Sequence, residues 1–190
     1  MVQTPVKPIT LEAFLAIPET KPASEFINGK IIQKPIPQGK HSALQLDLSA
    51  LINTAVRARK IARAFPELRC TFNGRSIVPD IAVFTWEHIP TDENGETANV
   101  FALPPDWTIE ILSPGQNIAK VTSKIIHCLN HGTQMGWIID PAHKSVLTYQ
   151  PHQLPAVADT AENPQAILPM PSFASELSLA VEDLFALLVL

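Results

Sequence analysis

Apolar residues recur along this chain in short blocks punctuated by Pro, Gly and Asn, and their spacing shifts between helical and alternating. Leu11, Ala13, Phe14 and Leu15 follow Thr10, the pattern of a short capped helix that the Pro18 and Pro22 region ends. Glu25-Phe26-Ile27 and Lys30-Ile31-Ile32-Gln33 flank Asn28-Gly29, a dipeptide suited to the positive φ values of a two-residue hairpin turn. From 42 to about 63, Leu44, Leu48, Leu51, Ile52 and Ala55 keep helical spacing while Arg57, Arg59, Lys60 and Arg63 follow, which predicts one long helix with positively charged last turns.

The β-branched run 77–84 and the run 107–112 read as strands, each carrying one acid, Asp80 or Glu110, in apolar company. Residues 118–131 predict a second helix with Val121, Ile125, Cys128 and Leu129 on one face and Gly132 placed to end it. Lys120, Lys124, His127 and His131 share its other face. Strands at 136–139 and 145–149 meet at the turn residues Asp140-Pro141, a Pro-rich surface connection spans 151–171, and 177–190 holds a short apolar closing helix. This alternation predicts an α/β (α+β) fold, a mixed central sheet flanked by helices. The expectation is a single domain: an N-terminal helix and hairpin over 1–40, a core over 41–150, and the connection and closing helix over 151–190.

Composition narrows the function classes. With 190 residues, 46% hydrophobic and 17% charged, the chain is too apolar for disorder, and no charge-free apolar run reaches spanning length. The opening Met1-Val2-Gln3-Thr4-Pro5 lacks the basic and apolar regions of a secretory signal, and the expected location is cytoplasmic. Cys70 and Cys128 stand alone, which excludes a zinc ribbon. The net charge of −4 hides an asymmetry: 1–80 carry a net +5 and 81–190 a net −9, so a local basic patch survives the average.

Asp80 and Glu110 stand out chemically, because a carboxylate in an apolar strand is costly without compensation. Each alone fits a structural pairing with an Arg or a turn. Two on successive core strands, if those strands are neighbours, converge at one sheet end as oxygen ligands of the kind Mg²⁺ takes with phosphate and water. His127 and His131 sit four apart but lack the Glu and third ligand of a zinc-protease helix, and read as part of the polar stripe. No phosphate-binding Gly-rich loop is present, and Ser113 lacks a nucleophile elbow.

Val78-Pro79-Asp80-Ile81-Ala82-Val83, followed thirty residues on by Glu110-Ile111-Leu112-Ser113-Pro114, resembles the PD-(D/E)XK nuclease core as it occurs in the Uma-type family of candidate bacterial restriction endonucleases. Thr10-Leu11-Glu12, Glu25-Phe26-Ile27-Asn28-Gly29, the 35–41 stretch, Lys124, Gly136-Trp137-Ile138-Ile139-Asp140-Pro141 and Leu168-Pro169 fall in the family's order, so the likeness spans nearly the whole chain. The resemblance implies a metal-dependent DNA endonuclease in which Asp80 and Glu110 hold Mg²⁺, with Mn²⁺ as a substitute. By analogy it implies a homodimer with one site per strand, while the lack of a spanning run and of a Gly-rich loop predicts no membrane partner and no nucleotide cofactor. The superfamily's lysine, two residues after the second acid, is replaced by Leu112. A lysine migrated to the next helix then matches Lys124, which as a residue is equally readable as a solvated neighbour of Lys120. Glu25 and His41 match positions that recur before the core and are second-tier candidates. Two rival readings remain: a nuclease-fold module without catalysis that binds nucleic acid or protein, favoured by Leu112 and the acidic second half, and a metal phosphoesterase acting on small molecules.

Overall fold

A computed structural model describes residues 9–189. The opening 1–5 stretch and the last residue of the closing helix segment therefore lie outside the described residues. Helix α1 (Leu11–Leu15) is capped by the Thr10 hydroxyl, which accepts the Ala13 N–H at 3.2 Å. Strands β1 (Ser24–Ile27) and β2 (Lys30–Gln33) form the expected hairpin, with Asn28 and Gly29 at φ of 51° and 75°. Helix α2 runs over Gly39–Val56.

Two expectations fail after α2. The helix stops at Val56, and Arg57 to Lys60 form a turn that Lys60 closes at φ 53°. Arg63 is instead in strand β3 (Ala62–Pro66). The run read as one strand over 77–84 is two. A hairpin of β4 (Cys70–Phe72) and β5 (Arg75–Ile77) turns at Asn73-Gly74, and β6 (Ile81–Thr85) begins only after Val78-Pro79-Asp80. Proline lacks the N–H a continuous ladder needs, so the chain changes sheets at this point. Strands β2-β1-β5-β4 make one antiparallel sheet that the sequence reading had not separated.

The second sheet holds the frame of the site. It adds β7 (Trp107–Ile111), β8 (Met135–Asp140), β9 (Ser145–Tyr149) and β10 (Ala156–Asp159), in the order β10-β9-β8-β7-β6-β3. It is mixed: β7 and β8 pair in parallel, joined through helix α3 (Ile118–Leu129), and the other pairs are antiparallel. The edge strand β10 lies inside the segment read as a plain connection. Side-chain alternation sorts the two faces. Ile81, Val83, Trp107, Ile109 and Ile111 pack with Leu44, Leu48 and Ile52 of α2 and with Leu184 and Phe185 of α4 (Val181–Ala186). Ala82 and Phe84 point the other way, into a cluster with Cys70, Phe72, Ile77 and Cys128.

The polar face of α3 is not a solvated stripe. Lys120 and His131 are exposed, but Lys124 and His127 are buried. His127 stacks on Phe72 at 4.8 Å, and its Nε2 has no hydrogen-bond partner. Burial, with the Arg75 charge and His131 adding to it, pushes His127 down to about 4. No helix among the described residues is long and apolar enough to cross a membrane.

Two outcomes follow from this packing. A Cβ at Gly136 would overlap the Ile125 Cγ2 methyl where α3 crosses β8, so Gly136→Ala should cost about 1–3 kcal/mol in chemical denaturation. Unfolded His127 takes a proton near its ordinary value of about 6.5, well before the folded residue does. Its contribution to stability is complete above about 6.5 and fades as pH falls toward about 4; the urea midpoint should drop across that window, less steeply in His127→Gln.

Candidate active site

The register of β6 against β7 pairs Ile81 with Ile109 and Ala82 with Thr108. Continued by one step, it sets Asp80 opposite Glu110, on the face turned toward α3. The two acids therefore come together at one end of neighbouring strands, as expected, although Asp80 sits in the link before β6 rather than within a strand. Asp80 Oδ2 accepts the Ile111 N–H at 2.7 Å, which ties the link to β7.

Neither acid is left uncompensated. Lys34 Nζ lies 2.6 Å from Asp80 Oδ1 and donates to the Val78 carbonyl at 2.9 Å, while His41 Nε2 lies 3.2 Å from Asp80 Oδ2. Gln45 of α2 donates to the Asp80 carbonyl at 2.8 Å. Lys124, reaching down from α3, places Nζ 2.9 Å from Glu110 Oε1 and 2.9 Å from Glu25 Oε1. Glu25 Oε1 also accepts the Val78 N–H at 2.8 Å. Glu25, His41, Asp80, Glu110 and Lys124 are all buried.

Burial would raise the Asp80 carboxyl, but the Lys34 ammonium, with His41 and Lys124, more than reverses this and holds it well below the usual carboxylate range. Glu110 goes the other way: burial raises it, Asp80 and Glu25 add to the rise, and Lys124 offsets only part. Burial alone would lower the Lys124 ammonium, yet Glu110, Glu25 and Asp80 keep it protonated far above neutral pH. Two carboxylates of opposite tendency share one face with a permanently charged ammonium, a division that acid–base and phosphate chemistry exploits.

All five candidate residues, Asp80, Glu110, Lys124, Glu25 and His41, are thus brought to one place, and Lys124 is buried among carboxylates instead of facing solvent with Lys120. Lys34 and Gln45 were missed. Lys34 directly precedes Pro35 at the end of β2 and reads as loop charge; only its partner 46 positions on gives it meaning. The basic group Arg57, Arg59, Lys60 and Arg63 lies elsewhere. Ala62 pairs with Thr85, at the far end of β6 from Asp80, and Arg57 is sixteen residues along α2 from His41, about 24 Å of helix. Arg59 pairs with Glu176, and Lys60 lies 6.0 Å over Trp86.

The donor set can be tested against a divalent ion. Among the described residues no group of three or more His, Cys, Asp and Glu side chains is arranged to hold a metal. Two carboxylates with water and substrate oxygens for the remaining positions is a mode Mg²⁺ uses, because it gives up its waters reluctantly. Glu110 Oε1 meets the Lys124 ammonium at 2.9 Å but has no aligned hydrogen bond, which leaves it acceptor capacity for an ion. The residues fit such an ion, provided the Lys34 ammonium gives way at Asp80 Oδ1.

The comparisons with known proteins agree with this geometry. No curated protein matches the chain. A crystal structure described as a putative nuclease belonging to DUF820 from Anabaena variabilis ATCC 29413 is similar at 60% identity and a TM-score of 0.93, covering 96% of this chain and 100% of that one. The family model Uma2, described as "Putative restriction endonuclease", matches residues 11–182, a range that holds every strand of both sheets. With the acid pair formed between the link before β6 and β7, and a match of that extent, the chain belongs to the Uma2 family.

Proposed function

We propose that the protein is a Mg²⁺-dependent endonuclease, active also with Mn²⁺, that hydrolyses DNA phosphodiester bonds in the cytoplasm as a homodimer. The observation that carries this reading is the placement of Asp80 directly across from Glu110 with the Lys124 ammonium 2.9 Å from Glu110. Asp80 and Glu110 would hold the ion. Bound there, a divalent cation supplies a polarised phosphate oxygen and a water acidic enough to act as hydroxide at neutral pH.

The chain's own groups supply the rest. Lys124 stands beside the acid pair as a fixed positive charge aimed at where negative charge grows on the phosphate, the work of the lysine that Leu112 replaces. Glu25 anchors that ammonium from the opposite side, so Lys124 does not depend on Glu110 for its position. His41 and the Ile111 N–H fix the Asp80 carboxylate. The homodimer follows from the substrate: two strands need two cuts.

Asp80→Asn and Glu110→Gln should each abolish metal-dependent cleavage of duplex DNA, read by gel; full activity in either would sink the metal site. Their stabilities should differ. Asp80→Asn leaves Lys34 and His41 without their counter-charge and lowers the denaturation midpoint, whereas Glu110→Gln removes a carboxylate that burial already disfavours and leaves Lys124 its partner Glu25.

Lys124→Ala uncovers two buried acids and should cost about 3–5 kcal/mol. Its rate must therefore be taken per folded molecule, and there it should fall by roughly two to four orders of magnitude with little change in metal affinity. Lys120→Ala, on the exposed side of the same helix, is the control. Equal, small losses from both would leave Lys124 a structural charge and favour the reading without catalysis.

A further inference from the structure

Beside the acid pair, a cleft of about 500 Å³ opens between the first turn of α2, the loop after β7 and the β8–β9 turn. Gly39, Lys40, His41, Ser113, Asp140 and His143 line it. His41 and Ser113 also line the narrow recess that reaches Asp80, so the cleft and the acids share a wall.

Three features of this wall call for a ligand with oxygens to offer. Helix α2 is eighteen residues long and its N-cap, Gln38, makes no side-chain cap bond. The first intrahelical bond runs from the Ser42 N–H, which leaves the N–H groups of Gly39, Lys40 and His41 without helical partners at the positive end of the dipole. The Ser113 hydroxyl is 7% exposed as a residue and has no hydrogen-bond partner at all, a cost that a buried polar group rarely bears. His41, 6% exposed, turns its Nε2 to Asp80 and so forms the wall that the cleft shares with the acids. Lys40 adds a free positive charge at the rim. The one carboxylate present, Asp140, is engaged: it accepts from the Ala142 and His143 N–H groups and pairs with the His143 ring at 2.7 Å. A Cβ at Gly39 would meet nothing within 4 Å, so the backbone there is open to an incoming group.

We propose that this cleft is an oxyanion subsite that takes a phosphate of the nucleic-acid strand next to the one attacked at Asp80 and Glu110. The inference rests on the nuclease reading above for the identity of the strand, but not for the anion. The helix N-terminus and Ser113 Oγ donate to the phosphate oxygens, and Lys40 supplies the counter-charge. Such a subsite fixes the strand's register while the scissile phosphate lies across the shared wall.

Inorganic phosphate titrated into isotope-labelled protein at neutral pH should shift the Gly39 and Lys40 amide resonances saturably. Ser113→Ala, which breaks no bond in the fold, and Lys40→Ala, at an exposed position, should together weaken that binding about ten-fold with an unchanged melting temperature. A single-stranded oligonucleotide should compete with phosphate at the same amides, and an uncharged methylphosphonate strand should not. No saturable shift at Gly39 and Lys40 would overturn the subsite, and phosphate binding without competition by the charged strand would overturn its assignment to nucleic acid. Competition by the strand with no cleavage under any divalent metal would uphold the subsite and reject the nuclease instead.

Discussion

Everything about this site depends on keeping three carboxylates and two ammoniums together out of water. Glu25, Asp80 and Glu110 come from β1, from the link before β6, and from β7; Lys34 and Lys124 come from the end of β2 and from α3. A lone ion in such surroundings would cost several kcal/mol, and removing one partner of a buried pair typically costs about 3–5 kcal/mol. The network therefore tolerates least the loss of a member that carries its neighbours' counter-charge, Lys124 above all. Lys124 serves two acids at 2.9 Å each, and Glu25 Oε1 holds both that ammonium and the Val78 N–H. One small cluster thus fastens the hairpin, the Val78-Pro79-Asp80 link and α3 to one another.

The same constraint explains the opposite tendencies of the two acids. Asp80 has Lys34, His41 and a backbone N–H on its own two oxygens and stays ionised. Glu110 shares the Lys124 ammonium with Glu25 and is driven toward the protonated form by burial. What distinguishes them is the number of donors within reach, set by where β6 and β7 deliver each carboxylate.

Much of this was legible in the chain, and the failures have physical causes. The Asn28-Gly29 turn, the Thr10 cap and the paired acids are local or short-range patterns, and each is found where the pattern put it. Arg57 to Arg63 was read as the positively charged last turns of α2, but pairing of β3 with β6 claims Arg63 and Lys60 turns the chain first. The β4–β5 hairpin is three residues on each side, too short for alternation to register. Lys124 and Lys34 carried no local signal: a lysine on a helix or before a proline looks exposed, and their burial is decided by carboxylates 99, 14 and 46 positions away. The positive group at the end of α2, conspicuous in sequence, stands at the opposite end of the sheet from the acids.

The Val78-Pro79-Asp80 link carries the chain out of one sheet and into the other, and that crossing makes the site a report on the completeness of folding. A nascent or partly opened chain in which the N-terminal hairpin had not docked would lack both Glu25 and Lys34. Asp80 would lose its ammonium and Lys124 one of its acids, and the groups around Asp80 and Glu110 would have no fixed arrangement. The activity proposed for this site would cut polymers that the cell also needs intact. In this chain, assembly of the acid cluster and closure of the two sheets are the same event, so the arrangement proposed for hydrolysis arrives last and disappears first when the structure loosens.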